Sequence, residues 1–267
     1  MPAVLISLSV VVCYCAAGVL LWKRHNRLGN ASAVRWLTAA AVCLHGFALY
    51  RAAYEDGAIN LALGVAVSLV TWMSVALFLA ASLAKENLNL GLVVLPSGLA
   101  GFLTGWLLPG ERFLLESFPA GIGRHLLIAL PAYGVLSIAF AQALILWLQE
   151  RQLRKPNPGG FFPQLPALET MESNLFHLTL LGFVLLSADL VTGMLSARQH
   201  YGTPLPFNHH IVFALAAWAG FGALLLGNKF FGWRGRTAAG WTMTAFAALA
   251  VAYFGTRFVS GVILGRG

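Results

Sequence analysis

The chain is poor in charge and poorest in acid. Of its 267 residues only nine are Asp or Glu, and charged residues of both signs make up 10%. So little charge excludes an ordinary soluble domain. Cysteine is scarce as well: Cys13, Cys15 and Cys43, with no C-x-x-C. All three fall inside apolar stretches, which argues against thiol–disulfide chemistry and against a structural zinc site, and leaves them as small packing residues. There is no phosphate-binding glycine loop, no nucleophile–base arrangement and no working carboxylate pair, so an enzyme finds no support. No low-complexity tail and no internal repeat stand out.

Long apolar runs are what the chain has. It is 59% hydrophobic with a mean hydropathy of +0.77. A bilayer-spanning helix takes about 20 apolar residues. The runs predict helices at 3–22, 33–51, 61–83, 88–108, 124–148, 174–195, 209–227 and 238–260. Almost nothing remains for a soluble domain. The expectation is an all-α, polytopic membrane protein, a bundle of eight transmembrane helices forming one membrane domain over 1–267.

The net charge of +8 invites a nucleic-acid reading, but the placement of the charges does not. Eleven of the 17 basic residues fall in alternate connections, within 23–35, 85–87, 149–173 and 228–237. The positive-inside rule puts those segments in the cytoplasm and both termini outside. Trp22, Trp36, Trp147, Trp233 and Trp241 gather at the inner boundary and Trp106 at the outer one, as in an interfacial aromatic belt. The expected surroundings are a lipid bilayer, and nucleic acid is not an expected partner. The first apolar run carries its basic cluster after it, unlike a signal peptide.

Two connections are longer than the rest. The outer one, Pro109–Gly123, contains FLLESF, expected as a short interfacial helix. The inner one, Gln149–Ser173, begins with Pro and Gly that bar a regular helix, and its LPALETME end leads toward helix six. Small residues such as Gly98, Gly101 and Gly182 suit close helix packing. Pro131 sits in helix five just after His125 and bends it or frees a carbonyl.

Three histidines fall toward the outer side. His125 opens helix five and His209 opens helix seven. His45 lies six residues before Arg51 on helix two, roughly 9 Å along the axis. Ring nitrogens near hydrocarbon are costly and tend to face a partner or a ligand. Neutral imidazole ligates iron and copper well. Two histidines from different helices suit the axial positions of a haem, here haem b. His125 and His209 are the candidate iron ligands, with His45 beside them. Arg51, Arg124 and Arg257 suit the propionates. Set against this, each histidine has a packing or interfacial reading of nearly equal weight. Asp189, inside helix six, needs a partner, and Arg257 or Arg51 is expected to supply it. His177 lies a membrane thickness away from the set, and His25 and His200 read as loop residues.

The segments MESNLFHLTLLGFVLLSADLVTGML (171–195) and GNKFFGWRGRTAAGWTMTAFAALAVAYFGTRF (227–258) resemble the cytochrome c assembly family, which includes CcsA, CcmC and HemX groups. The Gly-Trp-Arg-Gly-Arg at 232–236 is the most specific piece, and the pattern fits the YpjD-type branch. The resemblance implies an eight-helix protein of the bacterial cytoplasmic membrane connected with haem. It also implies that His125, His209 and His45 occupy the family's histidine positions. Departures accompany it. Residues 196–208 read SARQHYGTPLPFN, with no Trp-rich haem loop. Gly227 and Asn228 stand where CcsA proteins carry a histidine, and the chain closes on GVILGRG without a final external one. Covalent synthetase activity is therefore not expected.

Three functions follow. One is a haem-binding or haem-handling protein working with other membrane or cytochrome assembly proteins. The second is a HemX-like scaffold or regulator without haem. The third, ranked last, is a small transporter using Asp189, Arg257 and His45 as a relay.

Overall fold

Buried side chains recur every three to four residues along most of the apolar runs, and that period sets how the helices face one another. In the computed structural model residues 2–25, 30–55, 58–60, 62–84, 88–107, 114–115, 120–154, 165–201 and 209–255 are described. They form two compact units, one within residues 1–117 and the other within 118–259. Each unit holds four of the long helices.

The first unit holds α1 (Pro2–His25), α2 (Ala31–Ala53), α3 (Leu63–Ala84) and α4 (Gly91–Leu107). Each helix packs on the next, and α4 returns to α1. On α1 the inward stripe is Val10, Tyr14, Ala17 and Leu21. On α2 it is Val34, Thr38, Ala41, His45 and Leu49. The opposite face of α1 shows Leu5, Leu8, Val12 and Val19, apolar where lipid is the solvent. Asn30 caps α2 by accepting from the Ser32 N–H at 2.9 Å. On α4, Gly98 and Gly101 let α3 come close. A Cβ at 98 would stand 2.5 Å from Val75 Cγ2, and one at 101 would overlap Thr71.

The same unit contains a small antiparallel sheet of β1 (Tyr54–Glu55), β2 (Ala58–Asn60) and β3 (Leu114–Leu115). Tyr54 pairs with Ile59, and Ile59 pairs with Leu115. This corrects the interfacial helix expected for FLLESF. Its central Leu-Leu is a strand, since β2 offers a free edge and two residues suffice to pair with it. The flanking residues of that segment lie outside the described ones.

The second unit holds α5 (Ala120–Leu153), α6 (Leu168–Tyr201), α7 (His209–Phe231) and α8 (Gly235–Ala250), which runs on into a π-helical turn at Val251–Gly255. It closes in the same cyclic order, α5 to α6 to α7 to α8 and back to α5. The two units share an arrangement that no sequence repeat announces. The helices α5 and α6 have 34 residues each. At 1.5 Å per residue that is about 51 Å, well beyond the roughly 30 Å hydrocarbon core. They exceed the predicted 124–148 and 174–195 because polar ends such as LETME continue the helix once it leaves lipid. Their antiparallel register is fixed by Leu136 against Gly182, by Gln142 Nε2 donating to the Met171 carbonyl at 2.8 Å, and by Gln149 Nε2 donating to the Pro166 carbonyl at 3.1 Å.

A tight turn joins α7 to α8. The Gly232 N–H donates to the Asn228 carbonyl and the Trp233 N–H to the Gly227 carbonyl, with Gly232 at φ +65°. The first of these is the C′-to-C3 bond of an αL cap, which calls for glycine. Seven described helices are long and apolar enough to cross a membrane.

Candidate functional site

On α6 the inward seam reads Leu175, Thr179, Gly182, Leu186, Asp189 and Gly193, spaced alternately four and three. A carboxylate thus occupies a position that the helix period assigns to the core. Asp189 Oδ1 lies 3.0 Å from His125 Nδ1 on α5. The Asp189 side chain is 9% exposed and that of His125 is 35% exposed. Both facing atoms are buried, and neither makes a hydrogen bond of ordinary geometry, so the contact is a close polar approach. Among the described residues of its unit, His125 is the partner of Asp189. Gly193, one turn on, gives the ring its room. A Cβ there would stand 3.2 Å from His125 Cε1 and 3.8 Å from Nε2.

Aromatic rings stand in the same unit. Tyr133 on α5, two turns beyond His125, meets Tyr253 of the π-helical turn edge-on with centroids 6.3 Å apart. Tyr253 in turn meets His210 of α7 at 6.4 Å. Tyr133, Tyr253 and His210 therefore form one aromatic group drawn from α5, α7 and the turn after α8.

His45 belongs to the first unit and is fully buried there. Its Nδ1 lies 2.9 Å from the Tyr14 hydroxyl and its Nε2 2.8 Å from Ser68 Oγ. A neutral imidazole has one donor and one acceptor, and a hydroxyl serves as either. Both nitrogens are thus engaged, and Phe102 closes the ring edge-on at 5.1 Å. The network ties α1, α2 and α3 together.

The remaining sequence candidates fall as follows. Arg51 is exposed in the last turn of α2, where a cation suits the helix C-terminus. Arg124 is exposed beside His125. His209 begins α7, but its side chain lies outside the described ones, as does the whole of Arg257. His177 is exposed on α6.

Sequence reasoning missed Tyr133, Gly193, Tyr253 and His210. A signal for His210 was present. The positions 210, 214, 217, 221 and 224 make one stripe, and Ala214, Ala217, Phe221 and Leu224 are all buried. Among the described residues no three His, Cys, Asp or Glu converge as a metal site. A porphyrin brings four nitrogens of its own and asks the protein for only one or two ligands. A partly exposed histidine such as His125 fits that demand.

Comparison with known proteins agrees with this architecture. Residues 32–264 match the family described as cytochrome C assembly protein. The chain is 30% identical over 227 residues to the inner membrane protein YpjD of Escherichia coli K12, covering 84% of each. It is 33% identical over 144 residues to a 28.8 kDa protein in the nifR3-like 5′ region of Azospirillum brasilense, spanning about half (53%) of that relative. A cytochrome c biogenesis protein CcsA from a Synechococcus strain is 30% identical over 106 residues, 39% of this chain and 30% of that one. No solved structure matches. With seven membrane-length helices and a family match reaching from α2 almost to its end, this multi-pass membrane chain belongs to the cytochrome c assembly protein family.

Proposed function

We propose that the protein is a haem-binding, haem-handling component of the bacterial cytoplasmic membrane, without covalent attachment chemistry of its own. The observation that carries the reading is His125. It is an intramembrane histidine, one-third exposed, with a buried carboxylate behind it and a group of aromatic rings in its own unit. A ligand for haem iron looks like this, and an intramembrane carboxylate without function is costly to keep. Family membership supports haem as the cargo, since relatives carry the names of cytochrome c assembly and biogenesis proteins.

The residues assign themselves to roles. His125 ligates iron, and His209 at the start of α7 is the partner ligand on the sequence reading. Arg124, beside His125 on α5, meets the propionates. Bound haem supplies an iron centre that accepts imidazole and changes oxidation state. The group is haem b, held without covalent bonds, because no C-x-x-C-H stands in the chain. His45, engaged at both nitrogens, serves the packing of the first unit. Its partners in the cell are other membrane or cytochrome assembly proteins that deliver or receive the haem.

A scaffold without haem is the second reading, favoured by the closed network around His45. The visible spectrum of detergent-purified protein separates the two, recorded as isolated and during haem titration, beside His125→Ala and His209→Ala. A Soret band weakened in the variants supports the haem site. A colourless protein that takes up haem no better than its variants leaves the scaffold.

A further inference from the structure

Asp189 does more than neutralise a neighbour. A carboxylate in a membrane-spanning helix is retained against a cost of several kcal/mol. The helix period points this one inward rather than toward an interface, and a leucine there would continue the seam of Leu175 and Leu186. What the carboxylate meets is one particular atom of a histidine, Nδ1, at 3.0 Å.

The ring is held from two sides. Asp189 faces Nδ1, and the bare backbone at Gly193 lies against the edge carrying Cε1 and Nδ1, at 3.2 and 3.5 Å from where a Cβ would be. Of the three ring atoms near that position, Nε2 is the farthest, at 3.8 Å. Nδ1 is buried. A proton on Nδ1 sets a donor, rather than a lone pair, beside a carboxylate oxygen 3.0 Å away. A proton on Nε2 instead would leave two acceptors facing each other at 3.0 Å.

We propose that Asp189 is a positioning residue for His125: it holds the Nδ1–H and presents Nε2 as the coordinating nitrogen. The identity of what Nε2 meets rests on the haem reading above, while the orientation of the ring does not. A carboxylate behind a ligating histidine fixes the tautomer and makes the ring a stronger electron donor. A more basic ligand favours ferric over ferrous iron, so Asp189 lowers the midpoint potential of the bound haem.

Two measurements test this, with Asp189→Asn and Asp189→Leu beside the wild type. Both variants are first shown to be monodisperse in detergent. Nitrogen-15 spectra of histidine-labelled protein without haem read the tautomer of His125 directly, assigned by its loss in His125→Ala. The expected result is an Nδ1–H ring in the wild type and a mixture in Asp189→Leu. An Nε2–H ring in the wild type, or a tautomer that ignores the leucine, overturns the positioning role. Haem titration and redox potentiometry read the consequence. Haem affinity is expected to fall about 10–100-fold in Asp189→Leu, less in Asp189→Asn, with the midpoint moving to more positive potential in that order. Unchanged affinity and potential in well-folded variants overturn it. If the wild type takes up no haem at all, the haem reading falls and the tautomer alone decides the orientation.

Discussion

The ring of His125 rests against Gly193, where an added Cβ would stand 3.2 Å from Cε1. The helix backbone of α6 is thus the wall on which the α5 histidine lies. Gly193→Ala gains helix propensity of roughly 0.5–1 kcal/mol, which offsets the mild crowding. Its stability is expected to stay near that of the wild type. Gly193→Val adds branched bulk against the ring and is expected to cost about 1–3 kcal/mol. It should also displace the histidine and weaken haem uptake. Thermal unfolding in detergent, followed by haem titration, checks both. A valine variant equal to the wild type in both would show that the ring does not lean on this backbone.

His125→Ala strips the partner from the buried Asp189 carboxylate. Leaving a buried polar group unsatisfied costs about 1–3 kcal/mol. The double variant His125→Ala/Asp189→Ala removes the stranded charge and should recover part of that loss. A double-mutant cycle measures the coupling. Strict additivity of the two single effects would mean that the 3.0 Å approach contributes nothing to folding.

His45 makes the opposite kind of prediction. Its two hydroxyl partners, Tyr14 and Ser68, bind three helices through one ring. His45→Ala leaves both hydroxyls unmatched and opens a cavity, for an expected loss of about 2–4 kcal/mol. Tyr14→Phe removes a single hydrogen bond and is expected to cost about 1 kcal/mol. Neither should change haem affinity. A His45→Ala protein that stays stable but loses its haem would return His45 to the set of iron ligands.

Much of this arrangement was legible in the chain. Apolar runs located every helix, because lipid demands continuous hydrophobicity and leaves a strong signal. Gly98, Gly101 and Gly182 announced close packing, and each now has a side chain of a neighbouring helix where its Cβ would be. Other features were hidden. Composition cannot show that Leu114–Leu115 pairs with β2, since a strand of two residues leaves no period to read. The approach of His125 to Asp189 was hidden as well, because it follows from the α5–α6 register, set by Leu136 on Gly182 and by Gln142 on Met171, which no local pattern announces. His210 was passed over for its neighbour, although the stripe through Ala214 and Ala217 already pointed to position 210.

The glycines of the first unit give a graded test of packing. Gly98→Ala places a methyl group 2.5 Å from Val75 Cγ2 and 3.0 Å from Tyr14 Cε1, and something must shift. The expected cost is about 1–3 kcal/mol, with Tyr14 pushed from His45. Gly18→Ala meets nothing within 4 Å. It should gain a few tenths of a kcal/mol, up to about 1, from helix propensity. Equal effects at the two positions would rule out the tight α1–α4 and α3–α4 contacts.

The Gly-Trp-Arg-Gly-Arg turn, the piece that most resembles the family, is built for chain reversal. Gly232 at φ +65° ends α7, and Gly235 at φ +53° opens α8 with its N–H donated to Glu172 Oε1 at 2.8 Å. Trp233 stacks on Trp241 with centroids 5.2 Å apart, and the Asn228 amide donates to the Trp233 carbonyl at 3.0 Å. At Gly232 a Cβ meets open space, so only backbone conformation resists it. Gly232→Ala is expected to cost about 1–2 kcal/mol and Gly232→Asn clearly less, because asparagine tolerates the left-handed region. At Gly235 the same strain adds to a Cβ only 3.0 Å from Glu150 Oε2, so Gly235→Ala should cost more than Gly232→Ala. Thermal unfolding in detergent ranks the three. If the alanine variants keep full stability but lose haem uptake, the motif serves the cargo directly and its reading as a turn fails.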